Sequence, residues 1–160
     1  MNAVAVSGYR ILDEPSPGPL SRFVVDPFWP LLSLMLGGAW IAWPWFAFNS
    51  FALGSATRLR EMSLLAGAVA TPVALVLSFN VAMQSGLLMD AAYPYARIAL
   101  YVGKVIFAYL LFIHQARSLG LFEYFEGRPR NGILVVAGAM FLSSSVDELL
   151  GRGMLRLVMQ

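Results

Sequence analysis

Cysteine is absent from this 160-residue chain, and lysine and histidine each occur once, as Lys104 and His114. Without cysteine there is no disulfide, no thiolate metal site and no sulfur nucleophile, and a lone histidine is a poor nucleus for a metal centre. No metal and no cofactor are therefore expected. Charge is scarce too. Charged residues make up 12% of the chain and hydrophobic ones 59%, whereas soluble globular domains run at roughly 25% and about 45–50%. The 11 basic residues sit singly at the ends of apolar runs, not on a clustered face, which argues against a nucleic-acid partner despite the formal charge of +2. Phosphate-binding, dinucleotide-binding and zinc-protease signatures are all missing, as is a prenylation box.

What is present is apolar length. No charged residue occurs from Pro27 to Thr57, a stretch of 31, or from Met62 to Met89, a stretch of 28. Runs of 18 or more such residues read as membrane spans, because ~20 helical residues cover a ~30 Å hydrocarbon layer. The expected fold is an all-α integral membrane protein with four transmembrane helices, at about 28–53, 62–89, 97–115 and 131–148. These make up a domain of residues 27–148. Residues 1–26 form an extended polar arm, rich in proline and lacking the basic start of a secretory signal. The tail 149–160, with Arg152 and Arg156 among apolar residues, reads as a short interfacial helix. Trp29 at one end of the first span and Trp43 and Trp45 toward the other suit an aromatic belt. Pro44 and Pro72 predict kinks.

A partial internal likeness links the two halves. Asn49-Ser-Phe-Ala-Leu-Gly54 resembles Gln115-Ala-Arg-Ser-Leu-Gly120, and Arg58-Leu-Arg60 resembles Arg128-Pro-Arg130. Two tandem helical hairpins, related by an axis along the membrane normal, are one way to read it. Recurrence of small residues and arginines at membrane ends is the other. Four crossings place both termini on one face, A, and the Gly54–Glu61 loop on the other, B. Arginines divide five to five between the faces; the tight loop carrying Arg58 and Arg60 favours a cytoplasmic face B. The ten-to-one ratio of arginine to lysine points to a bacterial inner membrane.

Few residues offer chemistry. Lys104 lies inside the third span, where an ammonium in hydrocarbon costs roughly 2.5–3.5 kcal/mol. Depth counting puts Asn80, Gln84 and Asp147 near it, so a polar intramembrane cluster of Asn80, Gln84, Lys104 and Asp147 is geometrically open. Snorkelling of Lys104 to the headgroups, or an ion pair with Asp147 or Asp90, are the alternatives. Near face B, Asn49, His114 and Gln115 reach similar depth and could meet in an interfacial polar contact. The sequence Ser143-Ser-Ser145 lacks a base, because the only histidine belongs to the opposite face. Gly38-xxx-Ala42, Ala66-xxx-Ala70 and Ala139-xxx-Ser143 are small-residue faces suited to close helix packing.

The expected partners are the lipid bilayer and either another membrane protein or further copies of this chain. With no catalytic constellation, the expectation is a small accessory or scaffold subunit of a larger membrane assembly, not an enzyme. A small oligomeric transporter or channel with a polar site around Lys104 is the alternative, and a lipid-modifying enzyme comes third.

Overall fold

The computed structural model describes residues 19–87 and 92–150, with backbone alone at 144 and 147–150. A short 3-10 turn, Pro19–Phe23, precedes five helices: α1 Phe28–Leu36, α2 Ala39–Leu53, α3 Arg58–Gln84, α4 Tyr93–Tyr124 and α5 Ile133–Leu150. Among the described residues there is no strand, only an isolated bridge between Val25 and Arg130. The all-α expectation therefore holds. Two helices, α3 and α4, are long and apolar enough to cross a membrane, not four. At 1.5 Å per residue their 27 and 32 residues reach ~40 and ~48 Å. α3 begins four residues before its expected span and ends at Gln84, five short of Met89, while α4 continues past Gln115 through Arg117–Tyr124. Proline inside α2 (Pro44) and inside α3 (Pro72) does not end either helix.

The main departure is in residues 28–53, expected as one span. The chain turns back on itself at Gly37–Gly38. Gly38 sits at φ 97° and ψ 172°, a region open essentially to glycine alone. Both glycine amides donate to the Ser33 carbonyl, at 2.8 and 3.0 Å, and the Trp40 indole donates to the Gly37 carbonyl at 2.6 Å. The two amides satisfy the Ser33 carbonyl, one of those that the end of α1 leaves open. The backbone N–H of Val25 then donates to Asn49 Oδ1 at 3.1 Å. Val25 is twelve residues before Gly37 and Asn49 eleven after Gly38, so α1 and α2 lie antiparallel as a helical hairpin. Its tip is close against α5: a Cβ on Gly37 would stand 2.9 Å from that of Ala139. Trp29 and Trp45, expected at opposite faces, meet at the hairpin's open end, both within 2.8 Å of where Gly132 would carry a Cβ.

Three corrections follow. Residues 19–27 lie at the Gly54 end of the bundle, not at the far end, since the Arg130 amide donates to the Val24 carbonyl at 2.7 Å. The chain travels from end to end three times, in α3, α4 and α5. The tandem-hairpin reading also fails, because a folded-back hairpin in the first half corresponds to one continuous helix, α4, in the second. The likeness survives locally. The helices α2 and α4 run parallel, Asn49 and Gln115 bond each other across 66 positions, and Leu53 and Leu119 share one apolar cluster. Residues 1–18, Asp90 and the tail 151–160 lie outside the described residues, and with them the polar arm's first part and the interfacial tail helix.

Packing is centred where α2, α3 and α4 meet. Trp43, Phe46, Leu65, Ala68, Ala108 and Leu111 are buried there together with Leu34 of α1. Small residues let the helices approach, though not all those expected. Ala42 and Ala139 are buried, whereas Ala66 and Ala70 are exposed. Gly67 takes their place in the contact of α3 with α4, where its Cα lies under the Phe107 ring. Ser143 is half-buried and turns its hydroxyl back to the Met140 carbonyl of its own helix.

Candidate functional site

The polar side chains of the interior gather at the Gly54 end. Buried positions on α4 repeat as Leu100, Lys104, Ala108, Leu111, Gln115, Ser118 and Phe122, one helical face. Gln115 on this face is fully buried, and so are Asn49 of α2 and Glu61 of α3. The Asn49 amide donates to Gln115 Oε1 at 3.1 Å. The Gln115 amide donates to the Phe46 carbonyl at 2.8 Å and to Glu61 Oε2 at 3.2 Å. On its other oxygen, Oε1, Glu61 accepts from Ser55 Oγ at 2.5 Å and from Thr57 Oγ1 at 2.9 Å. Ser118 of α4 approaches Ser55 Oγ at 3.0 Å. A carboxyl with no solvent exposure thus rests on three uncharged donors, and among the described residues no cation is ion-paired with it. Such a group is costly to bury without those bonds.

The local sequence explains the arrangement. Gly54, with φ 60°, ends α2 in a left-handed turn, and its amide bonds back to Phe51. Ser55 is thereby turned inward, and its Oγ accepts from the Thr57 amide at 3.2 Å. One helical turn on, the Glu61 amide bonds the Thr57 carbonyl, which sets the carboxyl beneath both hydroxyls.

A cavity of about 270 Å³ opens directly over this network. Ser55, Thr57, Arg60, His114, Arg117 and Ser118 line it, with Leu121 at its edge. Among the described residues neither Arg60 nor Arg117 is ion-paired. Arg58 points elsewhere, over the Phe51 ring at 5.3 Å. The lining thus brings two guanidinium groups, donors of the kind that pair with anionic oxygens, and an imidazole to one polar floor.

The residues singled out from sequence are distributed as follows. Asn49 and Gln115 are bonded to each other, while the neighbouring His114 faces the cavity and contributes its backbone carbonyl to Ser118 at 3.5 Å. Asn80 and Gln84 are exposed on α3, and Lys104 is buried at 3% exposure on α4, so these three do not form one buried cluster. Burial on the inward face also differs from a snorkelling placement. Asn80 instead lines a mostly apolar groove of about 360 Å³ between α3 and α4, near Arg97. The side chain of Asp147 lies outside the described residues. Sequence reasoning missed Glu61, Ser55, Thr57 and Ser118. Glu61 is read as an ordinary loop charge because it borders an uncharged run; the two hydroxyl residues shortly before it were the available signal. No group of three metal-ligating side chains occurs among the described residues. Comparison with protein families, with characterised proteins and with solved structures gives no match, so the assignment of a role rests on this geometry.

Proposed function

We propose that the protein is a small, non-catalytic, membrane-embedded accessory protein that holds an anionic group in the cavity at its Gly54 end. In this reading α3, α4 and α5 cross the bilayer, and the α1–α2 hairpin enters and leaves from one face. Non-crossing backbone of this kind is tolerated within a membrane where protein surrounds it, and the Gly37–Gly38 tip is covered by α5. Large apolar side chains exposed along α3, α4 and α5, such as Leu77, Ile106 and Phe141, suit lipid or a neighbouring subunit.

The observation that carries the binding role is the convergence of Arg60, Arg117 and His114 on one cavity, with no internal carboxylate ion-paired to either arginine among the described residues. The test is native mass spectrometry of the intact protein, extracted in mild detergent from a bacterial inner membrane. Bound anionic phospholipid is expected in the wild type, and its retention should fall at least about tenfold in Arg60→Ala/Arg117→Ala, since each charge-assisted bond carries roughly 1.5–3 kcal/mol. Equal retention in the variant would sink the binding role. A stoichiometric protein partner in the same spectrum supports the accessory role, and a bare monomer counts against it.

Orientation follows from the corrected path of the chain. Arg22, Arg58, Arg60, Arg117, Arg128 and Arg130 lie at the Gly54 end, against Arg97 at the other among the described residues. The excess supports a cytoplasmic Gly54 end. Since the chain has no cysteine, single replacements report cleanly. Leu20→Cys and Leu59→Cys should resist a membrane-impermeant maleimide in intact cells, and Leu87→Cys should react. Reaction at residue 20 but not at 59 would refute the hairpin topology.

A further inference from the structure

We propose that the group held at the Gly54 end is a glycerophosphate, a phosphate diester or monoester carrying free hydroxyls, rather than phosphate alone. This rests on the anion-binding reading above and follows from counting hydrogens. A hydroxyl has one hydrogen to give and two lone pairs to receive. Ser55 gives its hydrogen to Glu61 Oε1, and Thr57 gives its own to the same oxygen. Ser55 has none left for Ser118, so in that 3.0 Å pair Ser118 is the donor, in preference to its longer contact of 3.5 Å with the His114 carbonyl. Ser55 and Thr57, 3.0 Å apart, have no hydrogen between them because both donate to Glu61. Both lone pairs of Ser55 are then filled, by the Thr57 amide and by Ser118.

The buried carboxyl therefore draws all three hydroxyl hydrogens inward. What remains toward the cavity from Thr57 and Ser118 is acceptor character, and both residues line it. A phosphate diester with no hydroxyl of its own is all acceptor near neutral pH, so it suits Arg60 and Arg117 but not these oxygens. A ligand that satisfies the whole wall needs anionic oxygens for the guanidinium groups and hydroxyl donors for Thr57 and Ser118. A glycerophosphate has both within one short unit. It is available as the headgroup of phosphatidylglycerol or as free glycerol 3-phosphate, and the chemistry of recognition is common to the two.

The test uses the full chain in phosphatidylcholine nanodiscs doped with dioleoyl phosphatidylglycerol or with dioleoyl phosphatidylmethanol, a diester of equal charge without hydroxyls, and reads lipid retention by native mass spectrometry. Phosphatidylglycerol should be retained roughly three- to tenfold better, the worth of one or two neutral hydrogen bonds. Thr57→Val and, separately, Ser118→Ala should bring retention of phosphatidylglycerol down to that of phosphatidylmethanol, with thermal unfolding of each variant showing that it is folded. Competition by glycerol 3-phosphate identifies a soluble ligand, and its failure to compete identifies the lipid; either supports the chemistry. Equal retention of the two lipids by the wild type overturns the glycerophosphate assignment and leaves the anion site standing. Retention of neither overturns both. A preference that persists in both variants overturns the role of the inward-drawn hydroxyls.

Discussion

Replacement of Glu61 by alanine is expected to destabilise the fold by about 3 kcal/mol. The carboxyl is fully buried and receives hydrogen bonds from Ser55, Thr57 and Gln115. Its loss leaves those donors with fewer acceptors and opens a void among α2, α3 and α4. The two hydroxyls border the cavity and can turn to water, which limits their share of the cost. Gln115 keeps its bond to the Phe46 carbonyl but cannot reach another acceptor without releasing Asn49. Glu61→Gln should cost less, about 1 kcal/mol, because its carbonyl oxygen still accepts from both hydroxyls and only the contact with the Gln115 amide becomes donor against donor. Thermal unfolding in detergent measures both, and about 2–4 °C per kcal/mol is expected for a chain of this length. An alanine variant as stable as the wild type would show that the network does not hold the helices together.

The second large effect is topological. Gly37→Leu/Gly38→Leu removes the conformation that only glycine adopts and fills the space against Ala139. Leucine favours helix where glycine opposes it by roughly 0.8–1.0 kcal/mol per residue. With Pro44 already accommodated inside α2, residues 28–53 can then form one helix of ~39 Å, enough to cross a bilayer. Residue 20 should move to the opposite face, so that Leu20→Cys in this background reacts with external maleimide while Leu59→Cys stays protected. Protection of both would mean that the hairpin does not depend on its glycine pair. The single Gly38→Ala change should keep the topology and cost on the order of 1–3 kcal/mol of strain.

These two cases mark what was legible in the sequence. Helical class and the presence of two long apolar helices, α3 and α4, follow from the hydrophobic runs, although Arg58, Arg60 and Glu61 lie inside the first and Arg97, Lys104 and Arg117 inside the second. The bond between Asn49 and Gln115 was within reach of depth counting, since both stand five residues before a glycine toward the same end of the bundle. The hairpin was not, because Gly37–Gly38 in a run of 31 uncharged residues fits a close-packing motif as well as a reversal. A pattern of hydrophobicity cannot tell a 26-residue crossing from two shorter helices folded together, and the choice is made by a partner, Ala139, a hundred residues away. Glu61 was hidden for a related reason. Its burial depends on Gln115 and Ser118, contributed by another helix, and a lone acid at the head of an apolar run resembles a solvated one.

The hairpin also sets an order of events during synthesis. Its partners come late: Gln115 is 66 positions beyond Asn49, and Arg130, which closes on Val24, is 106 positions further along. Until α4 and α5 have been made, α1 and α2 have an open polar end and nothing to seal their tip. The hairpin is thus made before its partners and completed only after them. Long sequence separation between contacts slows folding in general, and here it falls on the one element whose settling as a single straight helix would carry residues 19–27 to the opposite end of the bundle.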